Sequence, residues 1–127
     1  AWTVAKKYNL DLNKTYEGIK ISSGNSFVHE TESQVILNGS YNINFTMDLV
    51  EKDMSLFDKL SKDQEVELEI APFVLNIFKD AKEKFGSRAW SSMVVKRLED
   101  KYGISFREKG FPDELVDNEP EEKGQEV

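Results

Sequence analysis

The sequence predicts an all-α fold, a bundle of short and medium helices, and three observations carry that expectation. Apolar residues recur at spacings of three and four, not two, along almost the whole chain. Residues suited to helix starts and stops (Asp11, Ser26, Asn38-Gly39, Pro72, Gly86, Gly103) fall at matching intervals. A length of 127 residues suits one domain with a single core.

Residues 1–8 place Trp2, Ala5 and Tyr8 on one face with no capping residue ahead, so they read as the end of a longer helix that begins upstream. Asp11 can cap a second helix, whose stripe is Leu12, Tyr16 and Ile19, ending in Ser22-Ser23-Gly24. Ser26 opens a third that stops at Asn38-Gly39. Ser40 to Met47 mixes asparagines with Tyr41, Ile43 and Phe45 and reads as an ordered loop. Asp48 caps a helix from Leu49 to about Ser61, with Leu49, Met54, Leu56, Phe57 and Leu60 as its apolar face. Pro72 fits the first turn of the strongest helix, where Ala71, Leu75, Phe78, Ala81 and Phe85 form the stripe and Gly86 the stop. Ser91 or Ser92 starts a last helix with Val95, Leu98 and Tyr102 inward, ended by Gly103. The expected division is a helical domain over 1–112 and an acidic, flexible tail over 113–127.

Composition excludes several function classes. The net charge of -7 is concentrated at one end, because residues 113–127 hold seven acids and one lysine, a net of -6. The remaining body is nearly neutral and has no basic stripe, which argues against nucleic-acid binding. No apolar run approaches the roughly 20 residues that span a bilayer, so no membrane partner is expected. There is no cysteine, which removes disulfides and thiolate chemistry and suits a cytoplasmic setting. His29 is the only histidine and reads as a surface or capping residue, so no metal is expected.

Two places break the bland pattern. Asp53 lies four residues after Leu49 and three and four before Leu56 and Phe57, which puts a carboxylate into an apolar stripe. If buried there, it requires a donor, a cation or a wet cleft; a polar contact between helices would satisfy it equally well. Ser22-Ser23-Gly24-Asn25-Ser26 gathers small polar groups at a helix junction, a setting that can hold a carboxylate or hydroxyl ligand and that equally makes an ordinary turn.

Ser22-Ser23-Gly24, the run Asn44 to Leu56, then Ala71 to Ala81 and Gly86 together resemble the carboxyl-terminal domain of the β-hydroxyacid dehydrogenases, of the 3-hydroxyisobutyrate dehydrogenase and tartronate semialdehyde reductase kind. The family's Lys-Asp-Leu-Gly-Leu-Ala segment appears here as Lys52-Asp53-Met54-Ser55-Leu56-Phe57, with the small residues altered. The resemblance runs from residue 1 to about Leu98, and Gly110-Phe111-Pro112 looks like an extension found in some bacterial members.

That resemblance implies a helical bundle of the type of the 6-phosphogluconate dehydrogenase carboxyl-terminal domain. It also implies a split architecture. An amino-terminal Rossmann domain would hold NAD or NADP, and a small hydroxy acid or semialdehyde substrate would bind in the cleft between domains. The catalytic lysine is expected upstream of Ala1, so this chain alone should be inactive. By position, Lys52 matches a lysine that approaches the cofactor, and Phe45 an aromatic that closes the cleft over substrate or nicotinamide. Asp53 orients the site, and Ser23 and Gly24 face the acid end of the substrate. Helical domains of this family also commonly make the homodimer contact, and Trp2, Phe73 and Trp90 are large residues that periodicity alone does not place in the core and that would, if exposed, suit an interface. The other expectation is a non-catalytic dimerisation or interaction module that keeps the family fold.

Overall fold

A computed structural model describes residues 1–116 of the chain. Among these residues there is no strand, and the backbone forms six α-helices and one 3-10 turn, as an all-α chain should. The helices are α1 (Trp2–Lys7), α2 (Leu12–Lys20), α3 (Phe27–Asn38), α4 (Met47–Asp63), α5 (Ala71–Phe85) and α6 (Lys96–Tyr102), and the 3-10 turn covers Ser91–Val95. Most of the acidic tail, residues 117–127, lies outside the described residues.

Local chemistry sets most boundaries. The Asp11 carboxylate accepts the amides of Asn13 and Lys14 at the start of α2. The Ser26 hydroxyl accepts the amide of His29 at the start of α3. Gly39 ends α3 at φ +92, a left-handed conformation that costs glycine little. Its lack of a side chain matters twice, since a Cβ there would lie 2.1 Å from Nε of Arg107. α4 starts two residues earlier than its sequence pattern predicts. Thr46 is the cap residue, and Asp48 sits inside the first turn, where its carboxylate takes the Thr46 hydroxyl and its own neighbour's amide, that of Leu49.

The core is built by α1, α2, α3 and the carboxyl-terminal segment: Ala5, Leu12, Tyr16, Ile36, Leu37, Tyr41 and Phe106. Trp2 and Trp90 are half-buried and pack against it, whereas Phe73 is exposed. Tyr8 also leaves the expected face and is exposed, because α1 ends before it. His29 is not a simple surface residue. Its ring stacks between Trp2 and Tyr16, bonded to the Tyr16 carbonyl at 3.0 Å and to the Ser33 hydroxyl at 3.2 Å.

α4 and α5 form an antiparallel hairpin, with Glu51 of one paired to Lys82 of the other. The stripe predicted for α5 is confirmed at Leu75 and Ala81, which are buried. The stripe predicted for α4 divides: Leu49 and Met54 are half-buried, while its other three members face outward. Met47 is the only buried residue of this 17-residue helix, whereas Leu56, Phe57 and Leu60 are 53, 56 and 62% exposed. Of the residues expected inward at the last helix, Val95 packs against the core, whereas Leu98 and Tyr102 are exposed and Glu99 is buried instead.

Candidate functional site

The head of α4 collects three of the residues singled out by sequence. Phe45 directly precedes the Thr46 cap and is 38% exposed. Its carbonyl accepts the amide of Ser91 at 2.8 Å, while Met47 and Asp48 donate to the carbonyls of Ala89 and Ser87. With the isolated bridge between Thr46 and Trp90, these bonds clamp the start of α4 to the segment before the 3-10 turn. Ser91 is itself buried, and its hydroxyl has no hydrogen-bond partner among the described residues.

Lys52 and Asp53 stand about one and a half turns further along α4. The ammonium lies 2.9 Å from the Asp53 carboxylate, with the two side chains 60 and 56% exposed. The sequence pattern put Asp53 within a buried stripe in need of a partner. The structure corrects the burial: Leu56 and Phe57 face outward, and Asp53 meets water and its sequence neighbour. An exposed pair of this kind contributes little to stability, on the order of 0 to 1 kcal/mol. Fold maintenance is therefore a weak reason to hold it there.

Asp48 and Arg88 add a second charged pair at the same helix end, 3.1 Å apart. The Thr46 hydroxyl, and after it Arg88, hold the Asp48 carboxyl below the usual carboxylate range, so it stays ionised near neutrality. Ahead of the loop, Asn42, Ile43 and Asn44 with Glu114 and Leu115 line a surface hollow of about 420 Å³.

Ser23 and Gly24 lie elsewhere, between α2 and α3, and both are exposed. The amides of this junction are partly used: Gly24 donates to the Ser22 hydroxyl and Asn25 to the Ser22 carbonyl, both at 3.2 Å. The Asn25 amide group donates to Glu30, which lowers the pKa of that carboxyl, with Lys20 assisting. The junction is thus an ordered turn, with the exposed Ser23 at its tip.

Sequence spacing does not reveal a third cluster. Glu99 is buried, accepting the Tyr41 hydroxyl on one oxygen and the Phe106 amide, at 2.8 Å, on the other. Arg107 lies 3.6 Å from the same carboxylate, donates to the Tyr41 hydroxyl at 3.0 Å and to the Ile36 carbonyl at 3.1 Å, and stacks over the Tyr41 ring. One available signal was the helical offset from Val95 to Glu99, which shares a face four residues apart.

A nicotinamide dinucleotide needs a phosphate cradle and a seat for its rings. The residues here fit the rim of such a site: one exposed ammonium, one half-exposed aromatic ring and an anchored helix start. They do not supply the cradle, since the sequence has no glycine-rich phosphate loop.

The geometry establishes an all-α domain among the described residues, and the comparisons give its family. The family described as NAD-binding of NADP-dependent 3-hydroxyisobutyrate dehydrogenase matches residues 1–98. The chain belongs to that family. A solved 3-hydroxyisobutyrate dehydrogenase from Salmonella typhimurium is similar at a TM-score of 0.70 and 25% identity, over 76% of this chain and 34% of that one. The chain thus spans about a third of that relative's length. No curated protein matches it.

Proposed function

We propose that this chain is the carboxyl-terminal helical domain of an NAD- or NADP-dependent β-hydroxyacid dehydrogenase, closing the cleft over a small hydroxy acid or semialdehyde. The observation that carries the reading is the head of α4. Inside a family match over residues 1–98, an exposed Lys52-Asp53 pair and the half-exposed Phe45 ring stand on a helix start clamped by three main-chain hydrogen bonds.

The nicotinamide supplies the hydride chemistry, and this chain supplies the closing wall. Lys52 places a cation against a ribose or phosphate of the cofactor, and Asp53 holds that ammonium in place. Phe45 covers nicotinamide or substrate and excludes water from the transfer. Ser23 and Gly24 face the acid end of the substrate. The catalytic lysine belongs to the part of the enzyme outside this chain, so the 127 residues alone are inactive. Residues 1–112 act as this domain, in a cytoplasmic setting suited to a nicotinamide coenzyme.

Lys52→Ala in the full-length enzyme tests the assignment. Loss of one charge-assisted contact at an exposed site, about 1 kcal/mol, weakens nucleotide binding by roughly fivefold to tenfold. Unchanged nucleotide affinity would remove Lys52 from the cofactor.

The outward apolar face of α4 favours a second reading, a homodimerisation or interaction module that retains the fold. Nucleotide titration of the full-length protein separates the two, because a pure interaction module binds no NAD or NADP.

A further inference from the structure

Phe45 sits on a loop, residues 40–46, that is tied at both ends. At the far end Phe45 O, Thr46, Met47 and Asp48 are bonded to residues 87–91. At the near end stands Tyr41, with a left-handed backbone at φ +55 that a side chain-bearing residue holds only when its surroundings impose it. Its amide donates to the Val35 carbonyl at 2.9 Å, and its carbonyl accepts the Ser92 hydroxyl at 2.6 Å. Its phenol is seized by Glu99 and Arg107. Between the two ties lie only Asn42, Ile43 and Asn44, and Asn44 is also left-handed, at φ +57. A loop this short, with both ends fixed, has little freedom to re-aim Phe45 unless one tie is released.

We propose that Glu99 is a positioning residue for Phe45, acting through Tyr41: by accepting the Tyr41 hydroxyl and the Phe106 amide it fixes the loop from which Phe45 meets the cofactor. The proposal rests on the reading of Phe45 given above. Glu99 suits the task because it is a buried carboxylate in the last helix whose hydrogen bond to the loop is made with Tyr41, and it also ties down residues 106 and 107. Arg107 completes the assembly by reaching over Gly39 to the end of α3. An apolar side chain at this position would leave the Phe106 amide and the Tyr41 hydroxyl without this acceptor, so the carboxylate holds both segments at once.

The test uses Tyr41→Phe, which keeps the ring and removes only the hydroxyl, beside Glu99→Ala and Glu99→Gln. Gln can still accept the Phe106 amide and donate to the Tyr41 oxygen. In the 127-residue chain, amide exchange at Ser91 and Met47, the far tie of the loop, should rise by about tenfold in Tyr41→Phe and Glu99→Ala. The amides of α2 should keep their rates, and Glu99→Gln should recover most of the protection. In the full-length enzyme the same two variants should raise KM for the nucleotide roughly threefold to tenfold with kcat little changed. Uniform acceleration of exchange across all helices, or none at Ser91 and Met47, overturns the proposal, and if Glu99→Ala does not fold, Tyr41→Phe alone decides. An unchanged KM in a variant with a loosened loop also overturns it, provided Lys52→Ala still weakens nucleotide binding. If Lys52→Ala has no effect either, the dehydrogenase reading itself has failed.

Discussion

Tyr41 shows how much one residue carries in this fold. Its phenol is buried and donates to Glu99; burial first, and that hydrogen bond second, push its pKa up to about 12 against the opposing pull of Arg107. The folded chain therefore holds a proton that the unfolded chain releases near pH 10. The associated stability is whole below that pH and is lost progressively up to about 12, an effect on the order of 2 kcal/mol. Denaturant titrations between these limits should show falling stability in the native chain and a flatter profile in Tyr41→Phe; equal slopes would contradict the burial of the phenol as the cause. Two glycines make the opposite point about side-chain size. Gly39→Ala strains a φ of +92 and drives a Cβ into Arg107, which should cost about 1 to 3 kcal/mol. Gly18→Ala, mid-helix with nothing within 4 Å, should stabilise by about 0.5 to 1 kcal/mol. Thermal melts of the pair should move in opposite directions.

At the scale of elements, the amino-terminal half of the fold is readable because its signals are local. Asp11 caps α2, Ser26 caps α3 and Gly39 ends it, each by bonds to residues within four positions. Pro72 and Gly86 bound α5 for the same reason. α4 and α6 are harder. A stripe of Leu56, Phe57 and Leu60 announces a helix but cannot say which side the rest of the chain covers, and here it covers the other. In α6 the inward position belongs to Glu99, a residue whose partners Tyr41 and Arg107 come from distant segments and leave no trace in spacing. The candidate site divides likewise. Lys52-Asp53 and Phe45 are visible through family pattern, whereas their clamps, Ser91 N–H to Phe45 and the Thr46-Trp90 bridge, are tertiary.

Across the whole molecule, the core gathers on α1 to α3 and the 104–111 segment, while the α4–α5 hairpin presents its outer face uncovered. Leu56, Phe57 and Leu60 each leave about half their surface in water, worth roughly 1 kcal/mol apiece if covered. That face is where a second body should pack. Leu56→Glu with Leu60→Lys should leave the helix content unchanged and abolish any concentration-dependent association seen by analytical ultracentrifugation. Association that survives both changes places the contact elsewhere. The proposed function rests on one claim, that the head of α4 closes over a nicotinamide cofactor, and its supports are the family assignment, the exposed Lys52 and the clamped Phe45. Hydrogen exchange of the full-length protein with and without NAD or NADP tests it most directly. Within these 127 residues, slower exchange centred on the segment from Phe45 to Asp53 is the predicted result; nucleotide bound with no protection there would contradict it.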